Sequence, residues 1–203
     1  MVKKYWSGIG LLYARPMGDD HLRETTVARR VVHRGRFITF RVDTVEDAAG
    51  GRHQREVVDH PGAVAIVALD GEDLLLVRQY RSPAGRVLLE IPAGTLDRGT
   101  DGAIEDPDLA APRELAEETG FRAASWRRLG TFWTAPGFAS EAMTLYLARE
   151  LSAVDGYAGP EPDERLDVVR MPWREAVALA EQGGIEDAKS LVGIFWLARL
   201  SGV

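Results

Sequence analysis

The chain has 203 residues, of which 45% are hydrophobic and 28% are charged, as expected for a globular protein with a sizeable core. Its formal net charge of −6 argues against non-specific binding to nucleic acid, which needs a basic surface. The sequence has no cysteine, which excludes disulfides and thiolate chemistry, and no apolar run of the roughly 20 residues that a membrane span needs. We therefore expect a cytoplasmic protein that binds neither nucleic acid nor membrane.

The first half of the chain is predicted to consist mainly of strands, because β-branched and apolar runs alternate there with glycine-containing turns. In chain order the predicted strands are a hairpin over residues 27–45, a short strand over 54–60, a second hairpin over 63–81 and a buried strand over 87–94. The β-rich segment of residues 1–58 is too small to bury a core of its own. We therefore predict that it packs against a second copy of the chain, and that residues 59–203 form the main domain.

The second half of the chain combines helices and strands. A loop rich in glycine and aspartate leads into a helix over about residues 109–119, which contains Pro112 and ends at Gly120. Later strands are predicted over residues 126–134, 142–150 and 165–171, followed by helices over 172–182 and 187–200. Mixed strands with few helices predict an α+β fold.

The helix over residues 109–119 carries three carboxylates, Glu114, Glu117 and Glu118, spaced three and four residues apart. Such residues are neighbours on one helix face, where like charges cost about 0.2–0.5 kcal/mol per pair. A cation such as Mg²⁺, which prefers carboxylate, carbonyl, water and phosphate oxygens, removes this repulsion. A backbone carbonyl of the preceding turn, Ala93-Gly94, is a further candidate ligand. The alternative is that the acidic face is simply solvated.

The acidic helix lies within a longer motif. Gly99, Glu105 and the run RELAEETGF over residues 113–121 match the Nudix box at every defined position, so the sequence resembles the Nudix hydrolase family. Residues 54–56, 78–81, 88–94 and 134–138, and the sixteen-residue spacing from Gly120 to Pro136, resemble its ADP-ribose pyrophosphatase branch. In that branch the box glycine belongs to a Pro-Ala-Gly turn. That turn ends here at Gly94, five residues before Gly99, so either glycine can take the role.

The resemblance implies a fold and an assembly. It implies a Nudix α/β/α sandwich with a mixed sheet, plus a small N-terminal antiparallel β-segment that is used in dimerisation. The expected assembly is a homodimer. The implied cofactor is Mg²⁺, with Mn²⁺ as a possible substitute.

The resemblance also implies roles for individual residues. The implied metal ligands are Glu114, Glu117, Glu118 and the carbonyl of Ala93. Arg113 is implied to pair with a box glutamate and fix its rotamer, and the positions that correspond to substrate-binding residues are Arg55, Glu56, Arg81 and Pro136. The general base is expected in an acidic loop after the box, where Glu164 matches the family position. Glu161 is the nearby alternative, and Glu117 is the candidate if the base lies in the helix.

The activity implied by the resemblance is Mg²⁺-dependent hydrolysis of the pyrophosphate of ADP-ribose to AMP and ribose 5-phosphate. One alternative is the same reaction on another nucleoside diphosphate sugar, such as GDP-mannose. A less favoured alternative is a non-catalytic sensor of ADP-ribose, because such proteins tend to lose the box glutamates that this sequence retains.

Overall fold

We describe residues 19–159 and 165–202 of the chain in a computed structural model. The described residues divide into two compact units. The first unit contains residues 19–35 and 39–57, and the second contains residues 36–38 and 58–202. The helices of this described part are too short or too polar to cross a membrane.

The first unit is built on a three-stranded sheet in the order β1-β2-β3. After a short 3₁₀ turn at Asp19–Leu22, its strands are β1 (Glu24–Arg34), β2 (Thr39–Asp47) and β3 (Arg52–Asp59), the last two residues of β3 belonging to the second unit. β1 and β2 pair antiparallel, which confirms the predicted hairpin. Every residue of β1 is exposed, including Val27, Val31 and Val32.

The second unit contains a seven-stranded mixed sheet. Its strands are β4 (Ala63–Asp70), β5 (Asp73–Arg81), β6 (Arg86–Glu90), β7 (Ala93–Thr95), β8 (Phe121–Trp133), β9 (Ala142–Ala153) and β10 (Leu166–Pro172). The order is β10-β5-β4-β9-β8, with β6 paired to β5 and β7 paired to β4. β4 and β9 are parallel and the other pairs antiparallel, so the sheet is mixed, as predicted.

Three helices cover the two faces of this sheet. They are α1 (Pro107–Thr119), α2 (Trp173–Glu181) and α3 (Ala188–Leu200). Alternate residues of β4 point to opposite faces. Val64 and Ile66 pack with Leu115 of α1 in one core cluster, while Ala65 and Val67 belong to the other cluster, with α2 and α3. The predicted α/β/α sandwich is therefore confirmed.

The start of α1 differs from the prediction by two residues, whereas its end at Gly120 is confirmed. The helix begins at Pro107 because Asp106 caps it, its Oδ1 accepting a hydrogen bond of 2.9 Å from the Asp108 N–H. Proline suits the first helical position, where its missing N–H leaves no bond unmade. At the other end Gly120 adopts φ 71°, a left-handed conformation that turns the chain directly into β8. β8 therefore starts at Phe121 rather than at residue 126.

Candidate active site

An open cavity of about 530 Å³ lies in the second unit. This volume is within the usual range for small-molecule sites, about 300–1,000 Å³. Its lining residues come from the end of β5, from β7 and the loop after it, from α1, and from two further segments. They are Arg36, Phe37, Pro61, Gln79, Arg81, Ala93, Gly94, Thr95, Leu96, Asp97, Arg98, Arg113, Glu114, Glu117 and Glu118. Six of the residues predicted from the sequence are therefore brought together around one cavity.

The carboxylates of α1 differ in burial. Glu114 and Glu118, one helical turn apart, are 8% and 4% exposed, whereas the side chain of Glu117 is 43% exposed. Burying an ionised carboxylate is costly unless it is hydrogen-bonded or paired with a cation. The two buried glutamates therefore need partners within the site, and a simple solvated face does not describe them.

Arg113 provides part of the compensation, in a group that we call the Arg113 cluster (Arg113, Glu105, Glu114 and Glu117). Its Nε and Nη2 donate to the two carboxylate oxygens of Glu105, at 3.1 and 2.6 Å. Its Nη1 donates to Glu114 Oε1 and to Glu117 Oε2, both at 2.9 Å. One guanidinium is thus shared by three carboxylates. The predicted pairing of Arg113 extends to two helix glutamates and to the preceding loop.

Hydrogen bonds and charges within the Arg113 cluster shift the pKa values of Glu105 and Arg113. The hydrogen bonds from Arg113 hold the pKa of Glu105 below its ordinary value. The pKa of Arg113 is raised, first by its hydrogen bonds to Glu105 and then by the charges of its other partners, so it stays protonated. Arg113 and Glu105 therefore remain a charged pair at neutral pH.

The start of β7 brings backbone atoms against these carboxylates. The Ala93 N–H donates to Glu118 Oε2 at 2.9 Å. A Cβ on Gly94 would lie 1.8 Å from the carboxyl carbon of Glu114, so any larger residue there would displace this carboxylate. A Cβ on Gly99 would instead meet Asp101, at 2.7 Å, within its own loop. It is therefore Gly94 that packs against the acidic helix.

The donor chemistry of the site fits a hard divalent cation. The candidate ligands supply only oxygen atoms, and two of the carboxylates are buried beside the Ala93-Gly94 backbone. In the described residues no three His, Asp or Glu side chains converge closely enough to hold a metal as they stand. Glu105, Glu114 and Glu117 are instead gathered around the guanidinium of Arg113.

A second ion-pair group adjoins the cavity, and the sequence did not reveal it. We call Glu90, Arg81, Lys189 and Asp187 the Glu90 cluster. Glu90 is 1% exposed and accepts bonds from Arg81 Nε and Nη2, at 2.8 and 2.7 Å, and a further bond from Lys189 Nζ. Lys189 Nζ also donates to Asp187 Oδ2 at 2.9 Å. The only indication of this cluster in the sequence was one carboxylate, Glu90, at the end of an apolar strand.

The pKa values of the Glu90 cluster follow from burial and pairing. Burial would raise the pKa of Glu90, but the hydrogen bonds from Arg81 and the charge of Lys189 hold that pKa below its ordinary value. The pKa of Arg81 is raised, chiefly by its hydrogen bonds to Glu90. Glu90 is therefore ionised although it is buried.

The remaining predicted residues lie elsewhere. Arg55 and Glu56 are exposed residues of β3 in the first unit, where Arg55 forms an ion pair with Glu24. Pro136 belongs to the turn between β8 and β9 and is not among the residues that line the cavity. The two candidates for the base, Glu164 and Glu161, lie outside the described residues. The roles of these five residues remain predictions.

Comparison with known proteins gives a consistent result. Residues 59–192 match the NUDIX domain family. The chain is 38% identical to the ADP-ribose pyrophosphatase of Bacillus subtilis over 87% of its own length and 93% of the relative's. It is 32% identical to the GDP-mannose pyrophosphatase of Cronobacter sakazakii over 77% of the chain and 83% of the relative. A crystal structure of an ADP compounds hydrolase matches with a TM-score of 0.74 and 26% identity, over 88% of this chain and 94% of that one.

Proposed function

Because the chain belongs to the Nudix hydrolase family, we propose that it hydrolyses the pyrophosphate of ADP-ribose to AMP and ribose 5-phosphate, with Mg²⁺ as cofactor. The observation that carries the proposal is one cavity that joins the acidic face of α1 to Arg81. Carboxylates suit a divalent cation, and a guanidinium suits a phosphate. The relative named ADP-ribose pyrophosphatase, matched over most of both chains, supports ADP-ribose as the substrate.

In the proposed reaction a water oxygen bonds to one phosphorus of the pyrophosphate. The bridging P–O bond breaks, and the second phosphate leaves with the bridging oxygen. We assign Mg²⁺ binding to Glu114, Glu117, Glu118 and the Ala93 carbonyl, with Mn²⁺ as a possible substitute. When bound, such an ion neutralises the pyrophosphate oxygens and orients the substrate.

The side chains of the site have separate tasks in this scheme. Arg113 holds Glu105, Glu114 and Glu117 in place, which fixes the orientation of the carboxylates. Arg81 binds the anionic part of the substrate. Removal of a proton from the attacking water is assigned to Glu164, with Glu161 as the alternative.

Arg55, Glu56 and Pro136 keep their predicted role in substrate binding. Arg55 and Glu56 are both exposed on β3, where a ligand can reach them. Their assignment depends on the resemblance of residues 54–56 to the ADP-ribose pyrophosphatase branch.

A second substrate, GDP-mannose, is supported by the relative that bears that name. It has the same pyrophosphate, so the acidic helix serves both substrates equally. The choice between them therefore depends on contacts to the base and the sugar.

A substrate panel tests the proposal. The purified chain is incubated with Mg²⁺ and with ADP-ribose, GDP-mannose, NADH or dinucleoside polyphosphates, and the products are identified by chromatography. We expect the highest kcat/KM for ADP-ribose, with AMP and ribose 5-phosphate as products. Faster hydrolysis of GDP-mannose would favour the second substrate, and no hydrolysis of any compound would contradict the proposed function.

We also propose that the protein is a cytoplasmic homodimer, with residues 1–58 as the dimerisation segment. The support comes from β1, on which the side chains of Val27, Val31 and Val32 are 39–47% exposed. Apolar side chains on an exposed strand are commonly covered by a partner. Light scattering at micromolar concentration should give twice the mass of the chain. A fully active monomer under those conditions would contradict the proposal.

A further inference from the structure

Arg81 lines the cavity, and an ion pair with Glu90 holds its guanidinium in place. Its Nε and Nη2 donate to Glu90 at 2.8 and 2.7 Å, a bidentate pair that sets the plane of the guanidinium. Its Nη1 makes no hydrogen bond to any described residue, and the side chain remains 40% exposed. An arginine held along one edge has donors left for an anionic ligand.

The anchor of Arg81 is shared with a second cation. Lys189 Nζ donates to Glu90, and its side chain is only 9% exposed. Lys189 is the only lysine after Lys4 in a chain that otherwise uses arginine. The ammonium is compact and has three donors, so it can bridge Glu90 and Asp187 in a buried space.

The start of α3 holds Lys189 in this position. Asp187 caps the helix, accepting from the Ser190 N–H at 3.0 Å and from Ser190 Oγ at 2.5 Å. Ser190 Oγ in turn accepts a bond of 2.8 Å from the Ile91 N–H, next to Glu90 in the chain. The helix start and the strand that carries Glu90 are therefore joined at two adjacent residues.

The second cation on Glu90 changes the positive potential that the Arg81 guanidinium presents to a ligand. If Arg81 were the sole partner of Glu90, the carboxylate would cancel most of the positive potential of the guanidinium. Lys189 on the same carboxylate adds a positive charge that offsets part of the negative charge of Glu90, Asp187 and Glu118 acting on Arg81, so Arg81 keeps more of its potential than it would without Lys189. The contact between Glu90 and Lys189 is nearly closed to water, at 1% and 9% exposure, whereas the Arg81 side chain is open to the cavity.

We propose that Lys189 is a positioning residue for substrate binding. By engaging Glu90 and Asp187, it keeps the guanidinium of Arg81 oriented and positively charged toward the phosphates of a nucleoside diphosphate sugar. The inference rests on the proposed function and deepens it. It assigns to α3 a part in substrate affinity that the sequence pattern did not indicate.

The test compares three substitutions of Lys189 with one control. Lys189→Met removes the charge and the donors, Lys189→Gln keeps a donor without charge, and Lys189→Arg keeps the charge. Arg199→Met removes the same charge from the other end of α3, where the residue is exposed and outside the cluster. For each protein, KM and kcat are measured with ADP-ribose and Mg²⁺. The Kd for ADP-ribose is measured by calorimetry in EDTA, so that binding is read without metal.

We expect Lys189→Met and Lys189→Gln to raise KM and Kd by about fivefold to twentyfold, with kcat within about twofold of the wild type. Lys189→Arg should restore most of the affinity, and Arg199→Met should behave as the wild type. The increase in KM should shrink as salt is added, because added ions screen the charges. A purely structural role would instead lower the melting temperature and the active fraction, and leave KM unchanged.

An unchanged KM and Kd in both Lys189→Met and Lys189→Gln would overturn the inference while leaving the proposed function intact. A loss of affinity in Arg199→Met equal to that in Lys189→Met would also overturn it, because the position of the charge would then not matter. A wild-type chain that neither binds nor hydrolyses any compound of the substrate panel would overturn both the inference and the proposed function.

Discussion

The Arg113 cluster and the Glu90 cluster adjoin the same cavity but arrange charge in opposite ways. In the first, one guanidinium is shared by three carboxylates. In the second, the buried carboxylate of Glu90 is shared by two cations, Arg81 and Lys189, and Lys189 also pairs with Asp187. An excess of carboxylates attracts a further cation, whereas a shared carboxylate leaves a guanidinium able to bind an anion. The comparison explains how an acidic protein can bind a pyrophosphate: the metal and the substrate are assigned to different groups.

The largest expected effect concerns proton removal, which neither cluster supplies in this account. Glu164→Gln should lower kcat by roughly a hundredfold to ten-thousandfold, the usual range for a lost acid–base group. KM and the Mg²⁺ dependence should change little, because the clusters to which we assign metal and substrate binding are intact. Steady-state kinetics with ADP-ribose provide the measurement.

Glu161→Gln is the matched control for the base, since it removes the same charge three residues away. A large loss in Glu161→Gln and none in Glu164→Gln would move the base to Glu161. Full activity in both variants would place the base within the Arg113 cluster, with Glu117 as the first candidate. It would contradict the assignment of proton removal to a group outside both clusters.

The next effect tests the acidic side of the cavity. Glu118→Gln keeps the size of the side chain and removes a ligand charge, so kcat should fall at least about a hundredfold, equivalent to roughly 2.7 kcal/mol. Glu175→Gln, an exposed glutamate in the first turn of α2, controls for the loss of one charge. Circular dichroism verifies that both variants fold. An active Glu118→Gln would show that the face of α1 is not the metal site.

The smallest expected effect concerns the stability that the Glu90 cluster gives to the fold. Because the folded pKa of Glu90 lies below its ordinary value of about 4.3, its ion pairs stabilise the fold above that pH, and this stability is lost as the pH falls through the folded pKa. Glu90→Gln should therefore cost about 2 kcal/mol at pH 7 and progressively less below pH ~4. Urea unfolding of both proteins from pH 7 to 3 measures this. If the unfolding free energies of the two proteins differed by the same amount from pH 7 to 3, the pKa of Glu90 would not be lowered by folding.

Most of the fold could be predicted because its signals are local. Turns at glycine and alternating apolar runs located most of the strands, and the box motif located α1 with its carboxylates. The single strand predicted over residues 87–94 is instead two strands, β6 and β7, because Ile91 and Pro92 interrupt it. The first five residues of β8 were missed, since they include Ala123 and Ala124, a residue type that is depleted in strands.

The candidate site could be predicted only where its residues lie close together in the sequence. Arg113 and the helix glutamates belong to one turn of α1, so their spacing indicated contact. Glu90 and Lys189 are 99 residues apart, and only the folded sheet brings α3 against the end of β6. The contact of Gly94 with Glu114 likewise depends on how β7 packs beside α1. Long-range pairs of this kind have no signature in a single sequence.

The central claim is that the two sides of the cavity divide the charges, with metal on α1 and the anion on Arg81. Titration of Mn²⁺ into the wild-type protein, Glu118→Gln and Arg81→Met, without nucleotide and followed by electron paramagnetic resonance, tests it most directly. The account predicts at least about tenfold weaker Mn²⁺ binding in Glu118→Gln and wild-type affinity in Arg81→Met. Unchanged Mn²⁺ affinity in Glu118→Gln, or an equal loss in Arg81→Met, would contradict the division.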